Sequence, residues 1–415
     1  MKHSRVILGV VLLLALSIGV SYQYLPSLQG MTLIQLQSIK PRAPMGNLFV
    51  TQSTTPVRSH MLLGGTLGDD ILRLELRAEN EDIDVTLLTV VNGGGISSID
   101  RLELYRVGES TPFAHATIAA CGAGYGENVY CARMQNRQLV VPKTQKVNVV
   151  AKPRMKTDTD GAVSGQVVDP QIIDLIGLDD ITASGISSGK NLQPNDGDSL
   201  AEGEIFIGTS VPAANKPIIG RVNRVVLSKV TSITNADPNP NGTAIPQGQS
   251  PIGQFKFKAS PHENLRYGSN TWTMTDVIFT VSAVNVQFDD AVFVVYNKAD
   301  STAKSQCHVL DSSSSNSQFF VACWDIPASS VYTGIDAGGD MTIVLEATIV
   351  NPRIQSSMQS FLQVSMQQFW DPSLVGMASS LSHIRWIDKD ASFNTPFFWW
   401  IEYPDTTVNS TAYQS

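Results

Sequence analysis

The chain has 415 residues, a net charge of −8, and 42% hydrophobic but only 16% charged residues. That balance, with 31 glycines and 21 prolines, excludes a disordered chain or a long coiled coil and suits a turn-rich β protein. Lys and Arg form no stripe, which excludes the counterion-releasing patch that a general nucleic-acid binder needs.

In chain order, the first predicted element is an export segment. Lys2 and Arg5 precede the apolar run Val6–Val20. Its fifteen residues would rise about 22 Å as a helix, short of a hydrocarbon core of about 30 Å. Gly19 and Ser21 are small enough for cleavage after Ser21, whereas extension to Leu25 gives a spanning anchor. Residues 1–25 are therefore a signal peptide or a signal anchor, and 26–45 a linker. The expected location is extracellular, at the cell surface.

A duplicated phrase follows. Gly46-Asn-Leu-Phe-Val-Thr-Gln-Ser-Thr-Thr-Pro56, ending in His60-Met-Leu-Leu-Gly64, returns as Gly203-Glu-Ile-Phe-Ile-Gly-Thr-Ser-Val-Pro212, ending in Lys216-Pro-Ile-Ile-Gly220. Each copy runs into alternating strands and a pair of cysteines. In the first, Leu72, Leu74 and Leu76 oppose Arg73, Glu75 and Arg77, and Ile83, Val85 and Leu87 repeat the period of two. Asn92-Gly-Gly-Gly95 supplies a turn. Cys121 and Cys131 bracket a glycine-rich hairpin tip, and the unit ends near Met155.

Residues 156–202 form an acidic Gly/Ser connector. The second unit spans 203–352, with Phe255 and Phe257 alternating against Lys256 and Lys258, and with Cys307 and Cys323 as its own pair. Four cysteines permit three pairings, but one pair per copy favours Cys121–Cys131 and Cys307–Cys323. Residues 353–415 have no counterpart in the first unit. This Trp-rich tail carries Trp370, Trp386, Trp399 and Trp400.

The expected fold is all-β, with two tandem immunoglobulin-like β-sandwich domains at 46–155 and 203–352. Candidate chemistry is sparse. Gly185-Ile-Ser187-Ser-Gly189 matches a nucleophile elbow in letters but lacks the strand–turn–helix frame that exposes such a serine. Gly122, Gly124 and Gly126 lack the helix N-terminus that would hold a phosphate. Closely spaced oxygens make Asp158 and Asp160, Asp196 and Asp198, and Asp237 candidate calcium ligands, and no cofactor other than calcium is expected. Trp386, Trp399, Trp400 and Tyr403 are candidate ligand-binding residues, because aromatic faces stack on sugar rings.

The passage Ser98-Ile-Asp-Arg-Leu-Glu-Leu-Tyr105 to Cys131-Ala-Arg-Met134 resembles repeats in large exported proteins of uncultivated candidate-phylum bacteria. So does Ser382-His-Ile-Arg-Trp-Ile-Asp-Lys-Asp390 through Trp400-Ile-Glu-Tyr-Pro404. The resemblance implies an S-layer-like surface role with immunoglobulin-like domains, and it brings no catalytic residues. The expectation is therefore a non-enzymatic envelope protein, structural or adhesive. Its expected partners are other envelope proteins, further copies of itself or cell-surface glycans, with membrane contact through the N-terminal segment if that is uncleaved. The alternative is an extracellular glycan- or ligand-binding module built on the C-terminal tryptophans.

Overall fold

The computed structural model describes residues 45–94, 98–173, 180–197, 201, 203–260, 272–310, 317–367, 383–388, 397–399, 401–402 and 406–415, with 290–292 as backbone only. The export segment, Asp198, Trp370, Trp400 and Tyr403 lie outside the described residues. Among those described, strands dominate, and Ile326–Ser329 makes a short 3-10 turn. None of the described residues forms a helix long and apolar enough to cross a membrane.

The first sandwich grows from the alternation seen in sequence. Leu72–Glu79 buries Leu72, Leu74, Leu76 and Ala78 on one face and turns its charged residues outward. It lies in a seven-stranded sheet between Asn47–Gln52 and Lys146–Met155, with Ile99–Arg106 beyond the latter. A second sheet is centred on Ile83–Asn92, which pairs with Val129–Arg133, Pro170–Ile172 and Ile181–Gly185. Leu74 and Leu76 from one sheet and Val85, Leu88 and Val90 from the other share one core.

The duplicated phrase does not open two domains. Its copies lie side by side as parallel strands, with Leu48 opposite Ile205, Phe49 opposite Phe206 and Val50 opposite Ile207. The equivalent rings of Phe49 and Phe206 stack at 4.8 Å, and Arg77 lies over Phe49 at 4.4 Å. Asn47 Oδ1 accepts the N–H groups of Gly203 (2.7 Å) and Glu204 (3.2 Å), which fixes the register. Residues 203–226, expected to begin the second unit, complete the first. The expected connector also supplies the strands Val167–Val168, Pro170–Ile172, Ile181–Gly185 and Gln193–Pro194.

The second sandwich is one thirteen-stranded sheet around a single core rich in Phe255, Phe257, Trp272, Phe279 and Trp386. The described strands of the expected tail belong to it. Phe361–Met366 and Ile384–Asp388 both pair with the long strand Trp272–Val284. Their own alternation drives this, since Leu362, Val364, Met366, Ile384 and Trp386 point into the core.

A small three-stranded sheet separates the two cores. It is made of Val167–Val168, Asn223–Val226 and Met61–Leu63. Because successive side chains point to opposite faces, Leu62 and Val225 enter the first core, while Met61, Leu63 and Val226 enter the second. A strand apolar on both faces is one that must be buried on both. The described residues from Gly46 onward accordingly pack as one compact unit.

Two buried polar centres pin this junction. The Asp388 carboxylate is fully buried. It accepts Leu227 N–H (2.6 Å), Ser164 Oγ–H (2.8 Å), Ser228 Oγ–H (3.2 Å) and Ser228 N–H (3.3 Å). Burial nevertheless pushes it up to about 6. Glu402, also buried, bonds His60 Nδ1 at 2.5 Å, accepts Met61 N–H at 3.2 Å and pairs with Lys229. Burial would raise its pKa, but the His60 hydrogen bond and the Lys229 charge hold it below the usual carboxylate range.

Candidate functional site

Both cysteine pairs are bonded within their own sandwich, Cys121 to Cys131 and Cys307 to Cys323. The second has a consequence on the surface. Both of its cysteines face inward and are buried, so on the alternating strands the residue after each faces out. Those residues are His308 and Trp324, whose rings stack at 5.9 Å with an interplanar angle of 26°. Trp324 remains 46% exposed.

Beside this stack is a hollow of about 380 Å³ lined by Trp324, Asp325, Asp276, His383, Arg385 and Trp399, among others. Its geometry rests on a β-bulge. Trp272–Val284 carries one extra residue at Thr275, so that Met274 sits opposite Trp386 but Asp276, not Thr275, sits opposite Arg385. A bulge re-aims a side chain in this way. Arg385 then forms an ion pair with Asp276, donates Nε–H to Thr275 Oγ1 at 3.0 Å, and reaches Asp325 Oδ1 at 3.1 Å. Its guanidinium also lies over Phe397 (4.9 Å) and Trp399 (5.2 Å), which are two residues apart.

Asp325 holds the αL conformation (φ 47°) at the start of the 3-10 turn, with its N–H donating to Asp276 Oδ1 at 2.7 Å. Both oxygens of Asp276 are thus engaged by protein donors, and burial raises its pKa above the ordinary carboxylate value. His383 is buried edge-on to Phe320. Its Nδ1 has no hydrogen-bond partner among the described residues, and burial pushes the imidazole down to about 4, so the ring is neutral at physiological pH. Arg385 and Asp325 also line a second hollow of about 340 Å³, shared with Phe397, Pro327 and Thr275. The two hollows share the Arg385–Asp325 pair between them, and together they are the trough.

The candidates expected from the sequence divide sharply. Trp399 lines the trough. Trp386 does not bind ligand from solvent; it is fully buried between Trp272 (5.6 Å) and Phe398 (4.5 Å). Trp324, Arg385 and Asp276 were missed. The signal for Trp324 was its place directly after Cys323, but the bulge that brings Asp276 to Arg385 leaves no mark in the sequence.

The calcium candidates sit in three separate loops. Asp160 accepts Thr157 Oγ1–H (2.5 Å) within a tight turn, and Asp158 is buried beside it. Asp196 is exposed in the loop after Gln193–Pro194. Asp237 accepts Tyr413 O–H at 2.5 Å and Asn239 N–H at 3.0 Å, bracing a neighbouring strand. Among the described residues, the three that bring ligand atoms within 4.8 Å of one another are His60, Asp69 and Glu402. There the Lys229 ammonium already supplies a positive charge to Glu402, which makes the group an ion-pair network.

The serine motif is equally structural. Ser187 and Ser188 both donate their N–H groups to Glu81 Oε2 at 2.8 Å, while Gly46 N–H donates to Oε1 at 3.0 Å. A Cβ at Gly185 would lie 2.1 Å from the Glu81 carboxylate, which explains the glycine. Glu81 thus ties this turn to the start of the first strand.

No protein-family model matches the chain, and no curated protein matches it. Solved structures similar to it include the C-terminal domain of the antigen I/II polypeptide BspA of Streptococcus agalactiae, at 7% identity and a TM-score of 0.21. That match covers 89% of this chain and all of the other. The C-terminal domain of the antigen I/II-family protein AspA of Streptococcus pyogenes is similar at 8% identity and a TM-score of 0.22, covering 89% and 99%. The full-length major pilin SpaD of Corynebacterium diphtheriae follows at 9% and 0.21, covering 89% and 66%. TM-scores of this size carry no argument about this chain.

Proposed function

We propose that the chain is an exported, non-enzymatic cell-surface protein with a structural or adhesive role. The observation that carries this reading is the pair of disulfides, each closed within its own sandwich, since such bonds persist in oxidising compartments. The N-terminal apolar run supplies the route out, as a cleaved signal or a retained anchor. Two sandwiches locked through a shared wall give a stiff body, and its partners are envelope proteins, further copies in an S-layer-like array, or surface glycans. The aromatic trough is its contact surface.

The test is immunogold electron microscopy of intact cells carrying a tagged copy, with non-reducing peptide mapping of the purified protein. Surface label together with the two local disulfides is the expected result. Label confined to the cytoplasm, or four free thiols, overturns the proposal.

A further inference from the structure

We propose that the trough at Trp324, Trp399 and Phe397 is a binding site for an extended neutral saccharide chain. The inference rests on the surface role proposed above and names the ligand class for it. Three observations combine.

The first is the aromatic arrangement. Trp324 is held flat by its stack on His308, and the disulfide directly behind both residues fixes that stack. Trp399 lines the same hollow, and Phe397, 51% exposed, lines the next one. The faces of pyranose rings carry several C–H groups, and an apolar, rigid aromatic surface covers them at little entropic cost. Two hollows of about 380 and 340 Å³ give room for successive sugar units on either side of the Arg385–Asp325 pair.

The second is charge. The cation of Arg385 is matched by both Asp276 and Asp325, so among the described residues lining the trough no positive group is left for an anion. A sulfated or uronic acid chain would meet these carboxylates without compensation, whereas hydroxyl groups suit them. A carboxylate accepts from a hydroxyl and a guanidinium donates to one, and sugars present both roles on adjacent carbons. The side chain of Asp325 is 76% exposed, with its outer lone pairs reachable from solvent.

The third is His383. Its buried Nδ1 has no partner among the described residues, and the residue lines the hollow. A buried polar atom without a partner is costly, and a small shift of the ring toward the hollow would let a ligand hydroxyl complete it. A neutral imidazole can accept from or donate to a hydroxyl without regard to charge.

The experiment is titration calorimetry of the purified full-length protein with tetrasaccharides of β-linked glucose, N-acetylglucosamine, xylose and mannose, and with a tetragalacturonate as the anionic comparison. At least one neutral tetrasaccharide is expected to bind in the micromolar to millimolar range. Trp324→Ala should weaken it by about tenfold or more. Because Trp324 is half exposed, that variant should keep the wild-type far-UV circular dichroism and melting temperature. Trp324→Phe, which retains a flat ring, should recover part of the affinity.

No binding of any neutral member at millimolar concentration overturns the inference. So does preference for the galacturonate, or binding that Trp324→Ala leaves untouched. Surface label in the microscopy test with no saccharide binding would remove this inference alone, whereas cytoplasmic label would remove the surface reading on which it rests.

Discussion

Single side chains decide the junction between the two cores, and Asp388 gives the sharpest case. Its folded pKa of about 6 lies above the ordinary 3.8, so the native state holds the proton more tightly than the unfolded chain. Stability is therefore expected to fall as pH rises from about 4 to about 6, by on the order of 3 kcal/mol. Asp388→Asn fits the same partners. Its amide oxygen can accept from Leu227 N–H and Ser164 Oγ–H, and its amide nitrogen can donate to Ser228 Oγ. Urea unfolding at pH 4 and pH 7 should show the variant gaining on the wild type as pH rises; equal pH dependence in both would refute this.

Glu402 behaves oppositely, because its depressed pKa makes its contribution present at neutral pH and lost as pH falls through the folded value. Glu402→Ala takes the carboxylate away from the partly buried Lys229, which keeps its bond to Met61 O, and should cost about 2 to 4 kcal/mol, measured by the same unfolding. Trp386 makes the contrast with a binding residue. Trp386→Ala should destabilise the fold by about 3 to 5 kcal/mol, whereas Trp324→Ala should leave stability within about 1 kcal/mol.

At the scale of elements, the sequence was most legible where one strand face is wet. The Leu72–Glu79 alternation and the cysteine pairs lay open to reading because period two and one pair per copy are local signals. The partners of the strands were not local. Phe49 and Phe206 look like equivalent residues of two domains, yet they stack on each other, because a repeated strand can pair with its own copy as well as found a new sheet. Ile384–Asp388 carries a clear buried-exposed alternation, but its strongest apolar residue is a tryptophan, which read as a surface platform. The Cys307–Cys323 bond matters beyond stability, to which closing a loop of this length contributes about 3 kcal/mol. Replacing both cysteines with serine should loosen the His308–Trp324 stack, and tryptophan fluorescence should shift to the red with Trp324 as the responding residue. An unchanged spectrum would show that the stack does not depend on the bond.

The whole molecule is expected to unfold as one. The wall of Val167–Val168, Asn223–Val226 and Met61–Leu63 gives side chains to both cores, so neither can open without exposing part of the other. Calorimetry should give a single transition whose calorimetric and van't Hoff enthalpies agree, and two resolved transitions would contradict the shared wall. A chain shortened after Pro352 loses the two strands that pair along one edge of Trp272–Val284, one of which sets Trp386 against Trp272. It should be insoluble or bind hydrophobic dyes, rather than behave as a protein missing a dangling tail.

The pairing of Asn47 with Gly203, 156 residues further on, sets a timetable for any chain threaded through a membrane from its N-terminus. The earliest strand reaches the far side long before its parallel neighbour, and His60 waits through 342 residues for Glu402. Such distant closures are slow, and an early strand with an open edge invites foreign pairing. On the export route proposed above, the opening strand waits unpaired until its distant partners arrive, and that interval is when its edge is most exposed to foreign pairing.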